Sequence, residues 1–418
     1  MKQIFFFTAL ILICFKCSTN GSEVNASGTL TSLPAIWSVS TTDDGIISAS
    51  GIVNTNVVYK NSILVGGRVK SGRAVQSVDF NTGKKNWIWQ DYISTQGNTD
   101  MYSVQVDGNN LIWQQYSTNY SINLDNGITN WKNGLSIKYG DYVNLIGNNY
   151  YTGAAATSNL QLSLCGIYSF DKYNGIPNLI ATPQFDTTAL LINSGSSGMV
   201  EYVMPIINGI DTFLVACFRD PPSTNYTVRN SICCYNLSKK SWVYQRALIA
   251  PENHLGIEGT PFILNGNIYC TAGGGLQCNK LLSGENNWTK NFPSTSSFLF
   301  SGAIYGGGKI FANNENLHLY CIDPTNGSTV WDQSIFGTCS HMEYLNGVVY
   351  FVCGGDGKLY AIDAANGNKL WAIPSPDLKI SSQASFDRYV GVVPSQNGQK
   401  GKIVVTTGLN AYCYEAYK

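Results

Sequence analysis

Charge is what this chain has least of. Asp, Glu, Lys and Arg make up only 12% of the 418 residues, and 26 basic side chains balance 26 acidic ones. No broad positive field is available to hold a polyanion, which excludes nucleic acid and an anionic membrane surface as principal partners. Histidine is scarce too: His254, His318 and His341 are the whole supply, and no two share a metal-ligand spacing. There is no Gly-x-Ser-x-Gly elbow and no phosphate-cradling Walker loop. The sole Cys-x-x-Cys runs from Cys14 to Cys17, so the rest of the chain carries no zinc spacing. Methionine is down to 5 residues, against 42 Gly, 25 Tyr and 9 Trp. That usage favours many short strands and tight turns over helical bundles. With 44% hydrophobic residues and no net charge, the chain also lacks the composition of a disordered protein.

Long apolar runs are missing except at the N-terminus. Lys2 precedes an apolar run from Ile4 to Phe15, broken only by Thr8. A helix needs roughly 20 such residues to span a bilayer, so this run reads as a secretory signal peptide over residues 1–18. Residues 19–33 read as a flexible linker, and 34–418 as the folded body. Cys17 stands where a lipidated cysteine would, although Lys16 before it suits that peptidase poorly. The expected location is secreted or cell envelope.

The body is a repeat. Leu359-Tyr360-Ala361-Ile362-Asp363 with Gly367 and Trp371 recurs as Leu319-Tyr320-Cys321-Ile322-Asp323 with Gly327 and Trp331. The rule is Asp, Gly four later, Trp eight later. Asp79, Gly83 and Trp87 obey it, and Asn123, Gly127 and Trp131 do so with Asn for Asp. Asp171 and Gly175 are followed by Leu179. Lys280, Gly284 and Trp288 keep the last two positions, and Asn236 with Trp242 reads as a contracted copy. The alternating segment before Asp is a strand, the Asp-x-x-x-Gly stretch a turn in which Gly supplies positive φ, and the Trp segment the next antiparallel strand. Two more strands lie upstream in each copy. Four strands at a period of mostly 40 to 48 residues are the signature of a β-propeller. An eighth strand set at Lys402–Thr407 and Ala411–Glu415 stops where its Trp strand should begin, and Ala35-Ile36-Trp37-Ser38-Val39 supplies one. The expected fold is all-β: an eight-bladed propeller of four-stranded antiparallel blades closed by the N-terminal strand. Seven of the nine Trp (37, 87, 131, 242, 288, 331 and 371) then fall at the repeat position and read as inter-blade packing.

Cysteines read as packing residues. Cys234, Cys278, Cys321 and Cys413 sit two residues before the Asp position, where other copies have Ser77, Ser121, Ser169 and Ala361. That is a small buried site. Two disulfides stay open, Cys270 with Cys278 across a Gly-rich turn, and Cys217 with Cys233 or Cys234. Sequons stand at Asn20, Asn25, Asn119, Asn225, Asn236, Asn287 and Asn326.

The Tyr-Ala-Ile-Asp-x-x-x-Gly-x-x-x-Trp pattern resembles the pyrroloquinoline-quinone-type repeat of quinoprotein propellers, from about Ala35 to Lys418. That superfamily includes quinoprotein alcohol dehydrogenases and the propeller lipoprotein of the outer-membrane protein assembly machinery. The motif residues are the blade's own packing and turn residues, so the resemblance speaks to fold first. A quinone cofactor with calcium would need a catalytic carboxylate, calcium ligands and stacking aromatics, and none can be assigned here. The resemblance also brings up the vicinal pair Cys233-Cys234, since some such dehydrogenases hold a vicinal disulfide against the quinone; here Cys234 fills the small repeat position instead.

Propellers bind at the channel mouth, where loops lead into the innermost strands. Residues there by repeat alignment are His254, Glu258, Ser301, His341 and Gln383, against a reading of each as an ordinary solvated loop residue. The leading expectation is a monomeric, non-catalytic binding or scaffolding module without metal or cofactor. The alternatives are a quinone-dependent dehydrogenase of sugars or alcohols, and a carbohydrate-binding propeller suggested by abundant Tyr, Asn and Trp. The partner, protein or glycan, is left open.

Overall fold

The computed structural model describes residues 32–45, 57–70, 72–92, 104–115, 117–134, 138–139, 142–155, 162–186, 198–221, 228–253, 257–293, 302–337, 340–387, 389–396 and 398–418. The segments read as signal peptide and linker, Cys17 included, lie outside the described residues apart from the last two linker positions, 32 and 33. Among those described, helix is limited to two short 3-10 turns, Leu162–Leu164 and Pro376–Lys379. Among the described residues, no helix is long and apolar enough to cross a membrane.

The strands pair antiparallel, laid down largely in four-strand units in chain order. The first is Val58–Tyr59, Ser62–Val69, Gly72–Asp79 and Lys85–Trp89; the second runs from Val104–Asp107 to Thr129–Gly134. The third (Asn144–Ile146, Asn149–Ala155, Ile167–Asp171, Pro177–Ala181) and the fourth (Met199–Asn208, Asp211–Arg219, Val228–Asn236, Ser241–Asn253) are joined where Ala155 pairs with Met199, and with the short extra strand Lys138–Tyr139 they make one nine-stranded sheet. The fifth, sixth and seventh begin at Phe262–Leu264, Ala303–Gly306 and Glu343–Leu345. The last sheet contains Val390–Val393, Lys402–Thr406 and Asn410–Glu415, and its fourth strand is Trp37–Ser40 from the other end of the chain. Trp37 stands opposite Cys413. Trp87, Trp131, Trp288, Trp331 and Trp371 likewise stand opposite Ser77, Ser121, Cys278, Cys321 and Ala361.

The repeat motif makes both the turn and the seam between units. At Asp79, one carboxylate oxygen accepts from the backbone N–H of Asn81 and of Thr82, and the Gly83 N–H closes the turn on the Asp79 carbonyl. Gly83 has φ +75°, and Trp37 of the preceding unit lies flat on it: a Cβ there would come within 2.9 Å of the indole. The indole N–H then donates to the carbonyl one residue past Asp. Trp37 donates to Phe80, Trp87 to Leu124, Trp131 to Lys172, Trp288 to Pro324 and Trp331 to Ala364, at 2.8–3.1 Å. Each lock thus satisfies a buried or half-buried donor while setting an aromatic face on a bare glycine. Hydrophobic clusters occupy the seam between every pair of successive units, and one of them joins Ile63, Val65 and Val78 of the first unit to Val404, Ala411 and Cys413 of the last.

One expectation is corrected and two open pairings are not found. In the contracted copy the repeat position belongs to Tyr244, not Trp242. Tyr244 stands opposite Cys234 and donates to the Leu281 carbonyl at 2.9 Å, whereas Trp242 pairs with Tyr235. The Cys270–Cys278 disulfide is not formed: Cys278 stands opposite Tyr269, so Cys270 faces the other side of its sheet. Cys217 is bonded to neither Cys233 nor Cys234, because its neighbour in the ladder is Ile232, and all nine described cysteines are free. Of the sequons, Asn119 and Asn236 are buried within strands, while Asn287 and Asn326 are exposed.

Candidate functional site

The segments that lead into the inner strands share one face with the hairpins between second and third strands, because polar groups tie the two together. Glu258, ahead of the fifth unit, is buried, and its Oε1 accepts from the Gly274 N–H at 2.7 Å. Ser340, ahead of the seventh, accepts through Oγ from the Val352 N–H. Asp377, ahead of the eighth, is buried and accepts from Thr407 Oγ1, Asn410 Nδ2 and Tyr412 OH. Each carboxylate or hydroxyl satisfies donors of a turn that water cannot reach, so these are structural ties.

Lead-in residues also touch the neighbouring unit. Tyr142 and Tyr202 bring their rings to 4.0 Å. Gly259 and Gly302 approach so closely that a Cβ on Gly259 would overlap the Gly302 Cα. His341 lies with its ring 6.3 Å from that of Tyr389, and its Nε2 is 3.6 Å from Glu343 Oε1. Of the residues expected at the mouth, His341 therefore sits with an acid and an aromatic. Glu258 is withdrawn into its tie, and Gln383 is an exposed turn residue. His254 and Ser301 lie outside the described residues. Glu343 and Tyr389 were not singled out in the sequence; the signal for both was their place at the start of an inner strand.

Solvent reaches about a third of the His341 side chain (34%), yet the surrounding protein desolvates the imidazolium and lowers its pKa to about 4. The Glu343 carboxylate does not offset that burial. His341 is neutral at pH 7, able to donate from one nitrogen and accept at the other. The unfolded chain takes up a proton at this ring near pH 6.5, the folded one only near pH 4. Stability is therefore lost as pH falls through that window. Replacing His341→Gln is expected to flatten the decline in thermal midpoint between pH 6.5 and 4; an unchanged acid limb would count against the desolvated ring.

The vicinal cysteines lie on opposite sides of their strand. Cys233 packs among Val203, Leu214 and Ala216, and Cys234 on the opposite side among Val215, Ile232 and Ile268. Burial pushes the Cys234 thiol up to about 12, as in an inert packing residue. Among the described residues no group of three His, Cys, Asp or Glu is placed to hold a metal ion.

Residues 245–333 and 281–410 match the family model described as outer membrane protein assembly factor BamB. A protein of that description from Moranella endobia (strain PCIT) is 22% identical over 292 residues, 61% of this chain and 73% of that one. The fold is similar to the crystal structure of BamB from Moraxella catarrhalis, with TM-score 0.56, 9% identity, and coverage of 92% of this chain and 100% of that chain. It is also similar to quinohemoprotein alcohol dehydrogenase from Comamonas testosteroni, with TM-score 0.61, 12% identity, and coverage of 95% and 78%. The class is an all-β propeller. Residues 245–410 of the chain match a family model of the pyrroloquinoline-quinone-type repeat.

Proposed function

We propose that the chain is an eight-bladed propeller, closed by its own first strand, that serves as a non-catalytic protein-binding module of the cell envelope. The observation that carries this reading is the match of residues 245–410 to an outer membrane protein assembly factor. The packed seam between the first and last units supports closure. The mouth offers a neutral imidazole, a carboxylate and tyrosine rings, groups suited to hydrogen bonding and stacking with a polypeptide. Neither quinone nor metal belongs to this reading. A monomeric body, secreted or held at the membrane by a lipid on Cys17, belongs with it.

A photo-crosslinking residue in place of Tyr389, expressed in the native envelope, tests the proposal. It is expected to trap a discrete envelope protein, and the same residue in place of exposed Asn326 is expected not to. Quinone- and Ca²⁺-dependent dye reduction by the purified chain would overturn it. So would saturable glycan binding without a protein adduct.

A further inference from the structure

Cys217 and Cys270 do not belong to the repeat, and no role described above uses them. Cys217 lies in Asp211–Arg219, the second strand of the fourth unit, and Cys270 in Asn267–Ala272, the second strand of the fifth. Side chains alternate along each strand. Val215 and Cys217 point toward the fifth unit, and Ile268, Cys270 and Ala272 point back, so the two thiols meet in one buried cluster. Their sulfurs are 3.8 Å apart, in van der Waals contact, with no side chain between them. The register leaves neither a better partner. Cys217 is flanked by Ile232 and Tyr202, and Cys270 by Gln277. A second observation concerns the same seam. It is the one made by the degenerate copy, where Tyr244 and Ala247 cover Gly284 in place of an indole.

We infer that Cys217 and Cys270 form an oxidisable pair, and that their disulfide staples the fourth unit to the fifth where the tryptophan lock is replaced. The oxidant is a disulfide, either low-molecular-weight or carried by a thiol oxidoreductase. One thiolate attacks it and releases one thiol. The second then attacks the resulting mixed disulfide and releases the other. One S–S bond forms and one breaks, two electrons pass to the oxidant, and the two cysteine protons end on the released thiols. Burial raises the Cys217 thiol well above its ordinary range, so the exchange belongs to the folding chain and not to the finished fold. Its occurrence in the cell rests on the extracytoplasmic reading; its geometry does not.

The full-length chain, denatured and reduced, is refolded in oxidised and reduced glutathione. Remaining thiols are alkylated and the digest is mapped without reduction. The expected map has one dominant link, Cys217 to Cys270. Cys270→Ser abolishes it and leaves Cys217 alkylated, while Cys278→Ser leaves it intact. Reduction is expected to lower the thermal midpoint of the wild-type chain by several degrees and that of Cys217→Ala hardly at all. A link from Cys270 to Cys278, a link from Cys217 to Cys233 or Cys234, or full alkylation of both cysteines in refolded protein would overturn the inference. These outcomes are independent of the crosslinking result at Tyr389, so either proposal can fail alone.

Discussion

Trp37→Ala is expected to destabilise the protein by about 3–5 kcal/mol, the cost typical of removing a buried indole from a packed site. Trp37 is 9% exposed, lies on Gly83, and donates its N–H to the Phe80 carbonyl at 3.0 Å. Truncation loses the apolar contact, leaves a cavity and orphans a buried carbonyl. The location matters more than the area. The strand holding Trp37 is paired with Asn410–Glu415, so the lost contact loosens the join between the two ends of the chain. Trp242→Ala is the control, since that ring is partly exposed and stacks edge-on with Tyr235 outside the repeat position. Chemical denaturation of both variants checks the contrast. Equal losses would mean that the repeat position carries no special load.

The second large effect is expected at a glycine. Gly367 has φ +77°, and a Cβ there would lie 2.7 Å from the Trp331 ring. Gly367→Ala combines the strain of a left-handed L-residue, about 1–2 kcal/mol, with overpacking of about 1–3 kcal/mol. A loss of about 2–5 kcal/mol follows. Gly308→Ala has nearly the same φ, +80°, with open space around the added carbon. It should show the first contribution alone, about 1–2 kcal/mol. Denaturant midpoints at constant slope separate the two. If both glycines behave alike, the indole is not seated on the turn.

The repeat was legible because its causes are local. An Asp that caps a turn, a Gly forced to positive φ and a Trp at fixed spacing are all written within nine residues. The spacing was legible even in the degenerate copy: eight residues beyond Asn236 is Tyr244, which fills the position, and the indole at 242 only drew the eye. What the sequence hid depends on register. Recurrent bulges just after the small residue, as between Cys321 and Ile322, decide what the next strand presents, and no residue type announces them. Beside that bulge in the first two units an Asn reaches back across the sheet, Asn86 to Ser62 and Asn130 to Asn110, a bond invisible before the strands are aligned. The mouth was half legible for the same reason. Its expected members come from different units, and whether a lead-in residue stays partly open to solvent, as His341 does beside Tyr389, or is drawn into a hairpin tie, as Glu258 is, depends on a turn in another strand. The pairing of Cys217 with Cys270 spans 53 residues and a seam, and no spacing rule reaches it.

Hydrogen exchange along the first strand reaches the central idea most directly. The Ile36 N–H donates to the Cys413 carbonyl at 2.7 Å, and Trp37–Ser40 is paired along its length with the last sheet. If the chain closes on itself, the amides of residues 36–40 exchange as slowly as those of Asn410–Glu415 and open with them in one cooperative step. Exchange of residues 36–40 at the rate of an unprotected peptide, while Asn410–Glu415 stays protected, would show an open array and contradict the account.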